Sequence, residues 1–176
     1  MKTFLKAYKT RITLFLLIIL IINMVVLRIF DAPLKNEISS KGIVSFELAK
    51  DIDKTIQILD SWDANAKINA GLSLGLDFLF LLVYSSFITI LIYSVNNRLW
   101  KNKSVYKLGK LLIVLIFTAA IFDSIENIAL IQLLLGDLKQ TWSSIAYYFA
   151  FAKFTIVLIC IFYLLVNGFL TIFSKK

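Results

Sequence analysis

The sequence predicts an all-α membrane protein, a four-transmembrane-helix bundle with an amphipathic extracytoplasmic helix between its first and second spans. Three observations carry this expectation. Of the 176 residues 60% are hydrophobic and mean hydropathy is +0.85, whereas a soluble domain is about half apolar. Four apolar stretches, at about 12–30, 66–95, 108–135 and 142–173, approach or exceed the roughly 20 residues a helix needs to cross a bilayer. Between the first two, residues 31–65 turn to mixed charge. The whole chain, 1–176, reads as one four-helix domain.

The remaining composition narrows the chemistry. There is no histidine, so histidine-based catalysis, histidine-ligated metal and histidine-ligated haem are excluded. The single cysteine, Cys160, falls inside the last apolar stretch, which leaves no intrachain disulfide and no paired-cysteine metal motif. No metal and no cofactor is expected. The net charge of +8 comes from lysines and arginines beside apolar stretches, where they set topology. They form no pattern expected of a nucleic-acid partner.

The first element begins with Lys2, Lys6, Lys9 and Arg11 and continues into the apolar run at 12–30. The run exceeds a secretory h-region and no small-residue cleavage site follows it, so it reads as a retained signal-anchor helix. Asn23 is its notable uncharged polar residue, and Arg28 lies close enough to its end to extend its head to the interface. Pro33 marks the exit.

In the segment 31–65, Leu48, Ala49, Ile52, Ile56, Leu59 and Trp62 recur at three- and four-residue steps, while Glu47, Lys50, Asp51, Asp53, Lys54 and Asp60 fall largely elsewhere. That spacing predicts one amphipathic helix, with Ser45 as its N-cap and Ile52, Ile56 and Leu59 facing the bundle. Such a helix serves either as a connector packed on the rim or as a cover over the bundle mouth.

The second span follows Asp63, a candidate N-cap, and holds Gly71 and Gly75 at the spacing that permits close helix approach. Close approach would serve packing within the chain or a homo-oligomer equally. Asp77, Tyr84 and Ser85 then place a polar stripe along it. The third span carries Asp123, Glu126 and Asn127 at i, i+3 and i+4, which share one helix face. The fourth has Trp142, Tyr147 and Tyr148 near its start, suited to an interfacial belt, and Lys153 some three turns in.

Charge outside the spans gives the orientation. Arg98, Lys101, Lys103, Lys107 and Lys110 accumulate between the second and third spans without an acidic residue, whereas 31–67 holds seven acidic and five basic residues. The positive-inside rule therefore places this loop, the basic N-terminus and the terminal Lys175 and Lys176 in the cytoplasm. The segment 31–65 is then outside.

Ionisable groups inside a span cost several kcal/mol unless they have partners or water. Counting about 1.5 Å of rise per residue from the outer ends, Lys153, Asp123, Glu126 and Asp77 lie roughly 9 to 20 Å deep. Asn23 and Tyr84 fall near the same layer. The expected buried network is therefore Asn23, Asp77, Tyr84, Asp123, Glu126, Asn127 and Lys153, with Lys153 paired to Asp123 or Glu126.

Three readings of that network stand. It is a site for a lipid or other small molecule, with enzymatic use of a protonated carboxyl and of Tyr84 or Lys153 left open. Alternatively it carries charge in an oligomeric proton- or ion-coupled transporter or channel, or it only holds the helices together. No catalytic residue is assigned. Asp77 with Tyr84, the run Asp123-Ser124-Ile125-Glu126-Asn127, and Ala152-Lys153-Phe154 resemble a group of small bacterial four-span integral membrane proteins, a likeness that brings no activity with it. It implies a bacterial inner membrane, with membrane lipid as the surrounding partner. At the level of architecture alone, four spans with intramembrane carboxylates are also similar to the sterol-isomerase and sigma-2-receptor superfamily.

Overall fold

The computed structural model describes residues 2–173, with side chains over 8–171. The topogenic residues Lys175 and Lys176, and the side chains of Lys2 and Lys6, lie outside the described part. Helix α1 covers Lys2–Asp31 and a 3-10 turn follows at Ala32–Leu34. Short helices α2, Ile43–Glu47, and α3, Ile52–Ser61, precede three long ones: α4, Ala64–Leu99, α5, Tyr106–Leu134, and α6, Gln140–Phe173. There is no strand among the described residues. Helices α1, α4, α5 and α6 are each long and apolar enough to cross a membrane.

The packing order follows from which faces are apolar inward. Helix α5 lies between α4 and α6, and α4 also touches α6, so these three form the body. Helix α1 leans on α4 and has no extensive contact with α6. Only 6% of the residues in its apolar window are buried, against 33% in α4 and α5, so a seam is left open between α1 and α6. Leu14, Ile18 and Ile22 are among the apolar side chains left on the exposed faces of α1.

Local chemistry fixes the ends of the long helices. The Asp63 carboxylate accepts from the Ala66 amide at 2.7 Å and caps α4 as expected. The close helix crossing is not at Gly71 and Gly75. A side-chain carbon at Gly75 would meet nothing within 4 Å and one at Gly71 would touch only Leu134, whereas at Gly109 it would run into the Asn96 amide. Among the glycines of α4 and α5, Gly109 is the one pressed against the neighbouring helix.

The segment between α1 and α4 departs from the expected single helix. It breaks at residues 48–51, where Lys50 adopts φ 64, the left-handed region that costs a non-glycine residue strain. Gln140 at the start of α6 holds the break open: its Oε1 accepts from the Ile52 amide at 2.8 Å and its Nε2 donates to the Lys50 carbonyl at 3.0 Å. Gly42, not Ser45, starts α2, and the Ser45 hydroxyl accepts from the Lys41 amide. Because the helix is split, the buried face shifts. Phe46, Glu47, Thr55, Ile58, Leu59 and Trp62 are inside, Ile52 and Ile56 are half-buried, and Leu48 is exposed.

This segment is bolted to the bundle. The Ile43 amide donates to Asp31 Oδ1 at 2.7 Å, Trp62 Nε1 donates to the Leu34 carbonyl at 2.9 Å, and the Thr55 and Ser143 hydroxyls lie 2.8 Å apart. The Phe46 and Trp62 rings pack edge to face at 5.3 Å. Beneath them Leu74, Leu130, Leu133 and Ala146 from α4, α5 and α6 complete an apolar core. One end of the bundle is thus capped by α2 and α3, and the other carries the basic loop.

Candidate functional site

Asp123 and Glu126 stand on the α5 face turned toward α4 and α6, and Lys153 approaches from α6. The Lys153 ammonium donates to Asp123 Oδ1 at 2.6 Å and lies 2.8 Å from Glu126 Oε2. The Tyr84 hydroxyl, from α4, donates to the other Asp123 oxygen at 3.1 Å. One helical position further along α5, Asn127 Nδ2 donates to Asp77 Oδ2 at 2.7 Å. Six of the seven residues expected in the network are therefore brought together in two linked groups, Tyr84–Asp123–Lys153–Glu126 and Asn127–Asp77.

Asn23 does not join them. Its Nδ2 donates to the Ile19 carbonyl of its own helix at 2.9 Å, and its buried Oδ1 has no hydrogen-bond partner. The depth count expects it near the same layer, but α1 sits against α4 on the far side of the seam from α6.

Glu47 is the member that the sequence pattern hides. The heptad-like spacing assigns it to a solvent face, but with the helix broken after Glu47 the last turn of α2 points into the bundle. Glu47 is only 8% exposed and its Oε2 has no hydrogen-bond partner. Burial pushes its carboxyl well above the ordinary value of 4.5, with the Lys153 ammonium pulling it down and Asp123 and Asp31 pushing it up. Glu126, with no exposure, likewise leaves Oε1 without a hydrogen bond.

Two cavities meet at these groups. One, of about 350 Å³, opens along the seam: Leu20 and Met24 of α1 face Phe154, Val157 and Ile161 of α6, while Glu47, Asp77, Tyr84, Asp123 and Lys153 form its polar end. The other, of about 360 Å³, is reached from the capped end past Arg28, Asp31 and Lys35 and ends on Asn127. Glu47 and Asp77 line both. Such volumes suit a small ligand.

The opposite end of the bundle offers an internal comparison. There Asn96 Nδ2 donates to the Tyr106 carbonyl at 3.0 Å, the Tyr163 hydroxyl donates to Asn96 Oδ1 at 3.2 Å, and Trp100 Nε1 donates to Asn167 Oδ1 at 2.5 Å. This second cluster ties α4, α5 and α6 together with neutral groups whose hydrogen bonds are made. Polar groups that only join helices look like this. The charged cluster differs in having ionisable members, unpaired oxygens and open space beside them.

Among the described residues no group of three or more potential metal-ligating side chains is suitably placed. No protein-family model, curated protein or solved structure matches the chain.

Proposed function

We propose that the protein is an integral membrane protein of a bacterial inner membrane that binds an amphiphilic small molecule or lipid in the seam between α1 and α6. The apolar part of the ligand lies against Leu20, Met24 and Val157, and its polar group meets the carboxyls, Tyr84 and Lys153. One observation carries the reading: a cavity of about 350 Å³ that is apolar along its length and ends on ionisable side chains. In this reading both termini are cytoplasmic, α2 and α3 are extracytoplasmic, and the site lies in the outer half of the bilayer.

Retention of lipid or amphiphile through purification, read by native mass spectrometry, tests the proposal. Filling the seam with Val157→Trp should abolish retention while leaving the unfolding midpoint near that of the parent. Equal retention by the filled variant would remove the seam as the site. A cysteine at Ser40 should be labelled in intact cells by an impermeant reagent, and labelling only after permeabilisation would reverse the orientation.

A second reading, coupled proton or ion transport, draws on the two cavities sharing Glu47 and Asp77. Proton or cation flux into proteoliposomes that is lost in Asp123→Asn would favour it over simple binding.

A further inference from the structure

Four carboxyls and one ammonium gather at the polar end of the seam, and their pairing is uneven. Lys153 is taken by Asp123 and Glu126 at 2.6 and 2.8 Å. Asp77 accepts from a neutral amide, and Glu47 Oε2 accepts from nothing. Widening the boundary to the second cavity adds Asp31, Arg28 and Lys35, of which Lys35 is paired to Asp31 at 2.8 Å. Five carboxyls then face three cations, an excess of two. Arg28, on the far rim of that second cavity, is exposed. Among the described residues Lys153 is the cation that lines the seam.

A carboxylate removed from water is costly unless donors meet it. Glu47 is nine-tenths buried, borders both cavities and leaves Oε2 without a donor. The group that fits beside it carries positive charge and N–H donors, which favour the ionised form of Glu47 that burial alone disfavours, whereas an anionic headgroup would disfavour it further. The adjoining walls from α1 and α6 are apolar and face the lipid.

From this placement, and resting on the seam being a ligand site, we infer that the ligand is a cationic amphiphile. A primary ammonium sits between Glu47 and Asp77, and a single apolar chain lies along the seam between α1 and α6. Glu47 and Asp77 are then the residues that select the headgroup. Lys153 is already held by Asp123 and Glu126 and leaves Glu47 and Asp77 to meet the headgroup. Losing one charge-assisted hydrogen bond should weaken binding about 10-fold or more.

The experiment compares dodecylamine, dodecanol and dodecanoate as probes on the full chain in lipid nanodiscs. Each is titrated against tryptophan emission or bound-probe mass, with Val157→Trp as the filled-seam control. The amine should bind at least ~10-fold more tightly than the alcohol, and the carboxylate more weakly than either. Glu47→Gln and Asp77→Asn should each reduce the preference for the amine over the alcohol to within about twofold. Two variants are used because one of them can perturb folding. The unfolding midpoint of each without probe reports that separately.

Equal binding of amine and alcohol by the parent, with the filled variant binding neither, would overturn the cationic headgroup and leave the seam as a site. Tightest binding of dodecanoate would do the same. Binding of no probe, or equal binding by parent and Val157→Trp, would remove the seam reading itself and the headgroup with it.

Discussion

Lys153 on α6 and Asp123 on α5 form an ion pair at 2.6 Å, with their side chains only 8% and 5% exposed. Neither group could sit at that depth alone, since removing one partner strands a buried charge, a loss of about 3 to 5 kcal/mol in buried soluble pairs. Lys153→Met and Asp123→Asn should each lower stability in detergent, and the double variant should lose clearly less than the sum. Glu126→Gln gives the second arm of the cycle, with weaker coupling because Asp123 remains. Additivity in both arms within about 0.5 kcal/mol would show that the pair is not energetically joined.

Glu47 predicts a pH dependence. Its carboxyl is raised by burial, so the folded protein holds a proton that the unfolded chain releases, and the sign follows from linkage. This contribution is complete below the ordinary carboxylate value of 4.5 and is lost as pH rises through the raised value. The charged neighbours that set the raised value are Lys153, Asp123 and Asp31. The unfolding midpoint of the parent should therefore fall more steeply than that of Glu47→Gln as pH rises above the ordinary carboxylate value. Parallel curves for the two proteins would mean that Glu47 is not the group responsible.

The part of the site that the sequence exposes is the part whose cost is local. A lysine and two carboxyls within apolar runs of α5 and α6 must find partners wherever the helices cross, and 1.5 Å of rise per residue suffices to align them. Glu47 escapes that logic because it lies in a segment where charge is ordinary. Its direction depends on a break at Lys50 that Gln140, far away in sequence, holds in place. The Asn96–Tyr163 bond is hidden for a related reason: neutral amides near helix ends are common, and only the crossing of α4, α5 and α6 gives these their partners. Asn23 shows the reverse failure, since a depth count carries no information about which side of α4 a helix occupies.

The glycine contacts separate helix propensity from packing. Gly109→Ala puts a carbon into the Asn96 amide, which must move and give up its bonds to Tyr106 and Tyr163. Overpacking of this kind costs about 1 to 3 kcal/mol. Gly75→Ala meets nothing and should raise stability by about 0.5 to 1 kcal/mol through helix propensity and chain entropy. Detergent unfolding of the two variants reads the difference directly. If Gly75→Ala is instead the damaging change, Gly75 is a contact between copies of the chain, and the loss should coincide with a change in oligomer mass.

The cap formed by α3 makes a prediction that distinguishes neighbouring residues. Ile58 is fully buried in the apolar core with Phe46, Trp62 and Leu133, whereas Ile56 is half-buried. An unbroken helix whose apolar face is drawn through Ile52, Ile56 and Leu59 would make Ile56 the more sensitive position. With the helix broken at Lys50 the order reverses. Ile58→Asp loses about 1.5 to 3 kcal/mol of side-chain burial and puts a carboxylate into an apolar core. Ile56→Asp should cost about 1 kcal/mol, near the centre of ordinary substitutions. Because Thr55 and Gln140 fasten this segment to α6, loosening α3 should also open residues 48–51 to protease. Limited proteolysis alongside denaturation in detergent should show cleavage there for Ile58→Asp well before Ile56→Asp. Equal protease sensitivity of the two variants would mean that α3 is not seated by Ile58.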